Sequence, residues 1–288
     1  MGDIMRFSKI VATAAVVVGV SAGFSAHADA PKADAALKDA VAGSWRTPTN
    51  VQRDQWRKPA EALSFWGLKP GMTVLELSPG GGYWTEILAP YARVTNGRYI
   101  ATAADLNNPE LPQAARDGRA RFEARFADQS LYGKVEYVNF GAKTTELGAA
   151  NSVDFVLNGR NFHNWMAAGT ADKTMAEAFA VLKPGGILAI EEHRNAPGAT
   201  QDPKAPTGYV TEAFVIAAAE RAGFKLEARS DLFANAKDDR DHPFGVWTLP
   251  PTRRSAPQGQ PADPNFDSAP YDAVGESDRM ALKFVKPK

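Results

Sequence analysis

VLELSPGGGYWTEIL, residues 74–88, decides how the chain is read. An apolar, β-branched run passes through Glu76 and Leu77 into Ser78, Pro79 and three consecutive glycines, and a helical pattern starts at once. Glycine adopts positive φ and lets the backbone approach a ligand closely, while the helix start offers free N–H groups. Three adjacent glycines cost conformational entropy that a plain strand-to-helix turn does not require. The stretch therefore reads as a ligand cradle at the end of a buried strand.

Outward from it, strand and helix patterns alternate. Strands are expected at 72–77, 98–105, 134–140, 153–159, 187–192, 224–233 and 279–287. Helices are expected at 34–41, 54–66, 83–92, 108–127, 171–182 and 211–223, with Pro59 in the first turn of the second. This alternation predicts an α/β fold with a mostly parallel sheet covered on both faces. Ligands of such sheets lie beyond the carboxyl ends of the strands. In LKPGGILAI (182–190), Gly185 or Gly186 is expected to cap the preceding helix.

The 288 residues carry 33 basic and 33 acidic side chains and no cysteine. A balanced charge gives no electrostatic reason for a nucleic-acid partner. The lack of cysteine excludes disulfides, thiolate metal sites and thiol nucleophiles. Arg6 and Lys9, the apolar run from Ile10 to Phe24 and the exit Ser25-Ala26-His27-Ala28 form a signal-peptide pattern, so residues 1–28 are expected to be removed on export, to a periplasm if the cell has two membranes. The apolar run is shorter than the roughly 20 residues a spanning helix needs. No membrane span is expected after cleavage. Residues 29–53 then form an N-terminal extension and 54–288 the main domain, with a proline-rich insertion at about 236–276. An active-site cover and a surface loop are equal readings of that insertion, in which His242, Trp247, Arg253 and Arg254 stand out.

The cradle departs from the dinucleotide fingerprint G-x-G-x-x-G/A, because Thr85 occupies the third position. It resembles instead motif I of the class I S-adenosylmethionine-dependent methyltransferases, commonly E/D-x-G-x-G-x-G, with Ser78, Gly80 and Gly82 at the glycine positions. The form ELSPGGGYWTEILAP is similar to an exported methyltransferase subgroup. The resemblance implies a Rossmann-like, doubly wound, mostly parallel seven-stranded sheet with an antiparallel last strand, and S-adenosylmethionine as cofactor, held by Glu76, Ser78, Gly80, Gly81 and Gly82. It implies ribose binding by Asp105 at the end of the second strand, with Asn107 or Asn108 as neighbours able to share the task. VLNGRNFHNW (156–165) is similar to a stretch of the quinone C-methyltransferases that lies between cofactor and substrate. That places Asn158 on the cofactor and Asn161, Asn164 and Trp165, with Arg194 from beyond the fifth strand, on a small-molecule substrate. An acid that contacts adenine after the third strand in such enzymes has no counterpart in NFGAKTTEL (139–147).

Methyl transfer needs a base only when the nucleophile must lose a proton, and His163 and His193 are the candidates. Phe162 and Trp165 are expected as core aromatics, with cation–π contact to a sulfonium as the second reading. Arg53, Asp54, Arg57 and Lys58 read as a solvated helix face, with a grip on an acidic group as the minority option. No metal site is expected at Glu191-Glu192-His193, since neighbours on a strand point to opposite faces. Two further readings stay open: an exported, non-catalytic binding protein for S-adenosylmethionine or a related nucleoside, and an NAD-dependent oxidoreductase. Oligomeric state is not legible.

Overall fold

The structure is a computed structural model and describes residue 1 and residues 33–288; the expected signal peptide falls outside the described residues. The chain opens with α1 (Ala35–Val41), whose first turn is capped by the Asp34 carboxylate accepting from Leu37 N at 2.8 Å. Then come α2 (Pro48–Val51), α3 (Asp54–Arg57) and α4 (Pro59–Trp66). The single helix expected over 54–66 is thus two, broken at Lys58, which is left-handed at φ +38°. Proline disfavours the α conformation in the residue before it and supplies no N–H, so Pro59 starts a helix instead of continuing one.

From there the alternation holds. β1 (Thr73–Leu77) leads to α5 (Thr85–Val94), and β2 (Arg98–Ala104) to α6 (Gln113–Arg125) and α7 (Gln129–Tyr132). β3 (Val135–Phe140) and β4 (Val153–Gly159) follow, then α8 (Phe162–Ala168) and α9 (Ala171–Val181). β5 (Leu182–His193), α10 (Glu212–Arg221), β6 (Lys225–Ser230), α11 (Ala269–Val274) and β7 (Arg279–Val285) complete the chain. The sheet order is β3-β2-β1-β4-β5-β7-β6. Only β7 is reversed, pairing antiparallel with both β5 and β6.

Two positions differ from expectation. Leu182 is already extended and pairs with Val153, so neither Gly185 nor Gly186 caps α9. Gly185, at φ +82°, instead kinks β5, donating its N–H to Lys286 O while Gly186 O accepts from Lys286 N. The stretch after β4 carries a helix, α8, that no periodicity announced.

β1 is buried along its whole length because both faces are covered. Val74 joins the core under α4 and α5, whereas Leu75 and Leu77 face the core under α8 to α10. The chain runs outward from β1 to β2 and β3, then returns to β4 on the other side. That reversal opens a crevice at the carboxyl ends of β1 and β4, where the cradle begins. No helix among the described residues is long and apolar enough to cross a membrane.

Candidate functional site

The cradle is built by backbone conformation. Ser78, Gly80 and Gly82 all have positive φ (+51°, +57° and +78°). Ser78 N donates to Thr102 Oγ1 at 2.7 Å, and Ser78 O accepts from Asn161 Nδ2 at 3.1 Å, so the first turn is held from β2 and from α8. A Cβ on Gly80 or Gly81 would meet open space, whereas one on Gly82 would lie 2.6 Å from the Phe126 ring. Gly80 thus borders the cavity, Gly81 faces open space beside it, and Gly82 lets Phe126 at the end of α6 pack close.

A cavity of about 330 Å³ opens on the cradle, walled by Ser78, Pro79, Gly80, Thr102, Ala103, Ala104, Gly118, Arg119, Phe122, Phe140 and Asn161. The expected cofactor residues Ser78 and Gly80 are walls of it. Asp105 follows directly on the wall residue Ala104 and borders a neighbouring cleft of about 520 Å³ with Asn107 and Asn108. Its carboxylate accepts from Asn107 N at 2.9 Å, a local turn that fixes the strand end. Phe140 stands where the acid after the third strand is missing, and with Phe122 it makes this end of the cavity aromatic.

Glu76 is turned away from the cavity, towards α5. Its carboxylate accepts from Tyr99 OH and from Thr85 Oγ1, the latter at 3.0 Å, and burial pushes it up to about 7. Thr85, the residue that spoils a dinucleotide fingerprint, therefore has a structural task. Asn158 is fully buried, and neither its amide oxygen nor its amide nitrogen has a partner.

Glu192 organises the second half of the site. It accepts from Phe162 N at 2.6 Å, so it caps the first turn of α8, and from His193 N at 2.8 Å. It also lies 2.8 Å from His163 Nδ1. With the carboxylate as acceptor, Nδ1 of His163 carries the proton and Nε2 is left as the acceptor. The ring of His193 lies 5.2 Å from that of His163, and its Nδ1 is 2.5 Å from Ser277 Oγ. Burial, then proximity to His163, Arg160 and Arg279, holds His193 well below the ordinary imidazole range, so it is neutral at pH 7. Trp247 of the insertion packs edge-on against His163 at 5.7 Å. The 236–276 segment thus reaches over the carboxyl edge, and Asp238, accepting from Tyr209 OH and Asp278 N, anchors it.

The expected divergence of neighbours on β5 fails at its end. Donor atoms of His163, Glu192 and His193 lie within 4.8 Å of one another. β5 ends at His193, where the following residue bridges to Val210 and the strict alternation lapses. Both Glu192 oxygens are already spent on the hydrogen bonds above.

Other expected substrate residues are placed differently. Trp165 is core, packed against Phe162 at 5.9 Å and Phe140 at 6.5 Å. Asn161 straps the cradle, and exposed Asn164 donates to it at 3.3 Å. Arg194 is committed to a bidentate pair with Asp278 (2.9 and 3.0 Å) and to Asp231, so it braces the insertion. Arg57, expected on a solvated face, is fully buried on Glu276.

A doubly wound sheet with one reversed strand and a glycine cradle at its switch point defines a nucleotide-binding α/β protein with class I methyltransferase topology. Residues 75–190 match the family model described as a methyltransferase domain. Over these residues the chain carries a methyltransferase domain, and this match implies S-adenosylmethionine as the cofactor. It is 30% identical over 158 residues to the ubiquinone/menaquinone biosynthesis C-methyltransferase UbiE of Hydrogenovibrio crunogenus, covering 54% of this chain and 56% of that one. It is 27% identical over 201 residues to the sterol 24-C-methyltransferase of Yarrowia lipolytica, covering 63% and 47%. The chain thus spans about half the length of these curated relatives. The solved structure of the [4+2]-cyclase SpnF superposes with a TM-score of 0.50 at 17% identity over 87% of this chain and 91% of that one, a likeness of fold.

Proposed function

We propose that the protein transfers the methyl group of S-adenosylmethionine to a carbon atom of a small-molecule acceptor. The observation that carries this reading is the cradle at Ser78–Gly82, open to a cavity on one side and strapped by Asn161 to the helix that bears His163. Two relatives of different substrate class are both named as C-methyltransferases, which supports carbon as the acceptor atom.

The residues fit the cofactor. Gly80 and Gly81 leave the space a side chain would fill, Asp105 is the ribose candidate, and Phe122 and Phe140 offer aromatic walls. Bound there, the cofactor supplies a methyl group already activated by a sulfonium. A carbon nucleophile must be freed of its proton, and His163 has the form of the base: Glu192 holds its Nδ1–H and leaves Nε2 to accept. His193, kept neutral, adds no repelling charge beside it. Trp247 and the insertion exclude water from that edge. Residues 1–28, read as a signal peptide, would deliver the enzyme outside the cytoplasm, which a mass measurement of the mature amino terminus tests.

The decisive experiment adds methyl-labelled cofactor to the purified protein with cell-envelope extract and locates the label in the product by NMR. Label on carbon is expected. Tight binding of the demethylated cofactor without turnover would reduce the protein to a nucleoside-binding module, and label on oxygen or nitrogen would remove the carbon assignment.

A further inference from the structure

Beside the cradle lies a buried charge cluster that the chemistry above does not use. Arg53, Arg57 and Arg279 converge on Glu276, at 2.7, 3.0 and 2.9 Å. Arg279 also pairs with Glu191 at 2.5 Å, and Arg160 lies 3.7 Å from Glu191 and 3.8 Å from Glu276. Asp54, at the edge, is matched by Arg46 at 2.6 Å. Four guanidinium groups therefore share two carboxylates. A buried surplus of positive charge is costly unless an anion completes it.

The hydrogen-bond ledger points the same way. Both terminal nitrogens of Arg57 are buried without a partner, as are Arg160 Nε, Trp84 Nε1 and the Asn158 amide nitrogen. Arg57 is fully buried, with its guanidinium 4.4 Å over the Tyr83 ring. Against these donors stand two orphaned acceptors, Glu191 Oε2 and the Asn158 amide oxygen. A Cβ on Gly159 would lie 2.9 Å from Trp84 Nε1 and 3.7 Å from Glu191 Oε2, so the orphans adjoin the carboxyl end of β4. Unmet donors in excess of acceptors ask for a group that is acceptor-only, and a carboxylate is one.

Access comes from a separate side. A cavity of about 440 Å³ between the N-terminal helices and the insertion is lined by Arg53 and Glu276 together with Trp56, Pro250, Pro251 and Arg253. It shares no wall residue with the cavity on the cradle. Its wall is mixed: Trp56, Pro250 and Pro251 offer a ring and apolar surface beside the polar Thr49, Asn50, Gln52 and Gln55, and Arg53 and Glu276 join it to the buried cluster.

We propose that Arg53 and Arg57 form an anion subsite that takes the carboxylate of the methyl acceptor, and that the acceptor class is a ring-bearing acid whose ring lies against Trp56. This rests on the methyl-transfer reading, yet it is testable by binding alone. Benzoate, with benzamide as its neutral counterpart, is titrated calorimetrically into the protein with and without saturating S-adenosylhomocysteine. Benzoate is expected to bind the saturated protein at least tenfold more tightly than benzamide does. Arg53→Gln and Arg57→Gln are each expected to weaken benzoate at least tenfold while S-adenosylhomocysteine affinity stays within twofold. Equal binding of benzoate and benzamide, or of benzoate to wild type and variants, overturns the proposal. Benzoate binding that S-adenosylhomocysteine abolishes assigns the subsite to the cofactor's own carboxylate and overturns the acceptor assignment. Arg53 is partly exposed, so its variant decides the matter if Arg57→Gln does not fold. A failure of S-adenosylhomocysteine to bind would sink the methyltransferase reading, while benzoate titrated into the cofactor-free protein still reads the subsite.

Discussion

Replacing Glu76 by Gln should flatten the acid side of the protein's stability profile. The Glu76 carboxyl ionises at about 7 in the folded chain, against an ordinary 4.5, because burial outweighs the hydrogen bonds from Tyr99 and Thr85. A folded-state value raised above the unfolded one means that the native protein binds the proton more tightly. The stabilisation is complete below about 4.5, fades as pH rises towards 7 and is absent above that. At 1.36 kcal/mol per pH unit the difference amounts to about 3 kcal/mol. A Gln carbonyl can still accept from Tyr99 and Thr85, so the variant keeps the contacts and loses the titration. Urea unfolding at about pH 5 and pH 8 measures both proteins. Wild type should lose about 2.5 kcal/mol more than the variant between the two conditions. An equal pH dependence in the two proteins would show that Glu76 is ionised throughout and that its burial is not what the fold implies.

Three further outcomes follow from particular contacts. Gly82→Ala combines φ +78° with a Cβ 2.6 Å from Phe126, and should cost about 2 kcal/mol or more in unfolding experiments, whereas Gly81→Ala, with nothing within 4 Å, should stay within about 0.5 kcal/mol. His163→Gln should lower kcat by about 10²–10⁴ with S-adenosylhomocysteine affinity unchanged, and Glu192→Gln, acting through His163, should lower kcat and distort its pH profile; rates like wild type in both would remove the proposed base. Lys58→Gly relieves a left-handed backbone at the α3–α4 break and should raise stability by up to about 1 kcal/mol, read as a shift in thermal midpoint.

The legible part of this protein is what short-range patterning dictates. The strand–glycine–helix run at 74–88 and the β–α alternation after it reflect local backbone preference and burial period, so a mostly parallel sheet was readable; the reversed last strand came with the family resemblance and the strand order only with the structure. The helix starting at Phe162 was not, because its first turn depends on Glu192, 30 residues away. The break at Lys58 was open to reading from Pro59 alone. Thr102, Arg119 and Phe122 as cavity walls carried no local signal at all.

What the chain alone determined is the class of fold and the place of its cradle, because both arise from residues adjacent in sequence. Only the tertiary structure decided the partners: that Glu192 serves His163, that Glu76 turns from the cavity, and that arginines 53, 57, 160 and 279 meet two glutamates. Charges and hydrogen bonds act across space over a few ångströms, and separations of 29 and 219 residues along the chain hide such pairs from any periodicity.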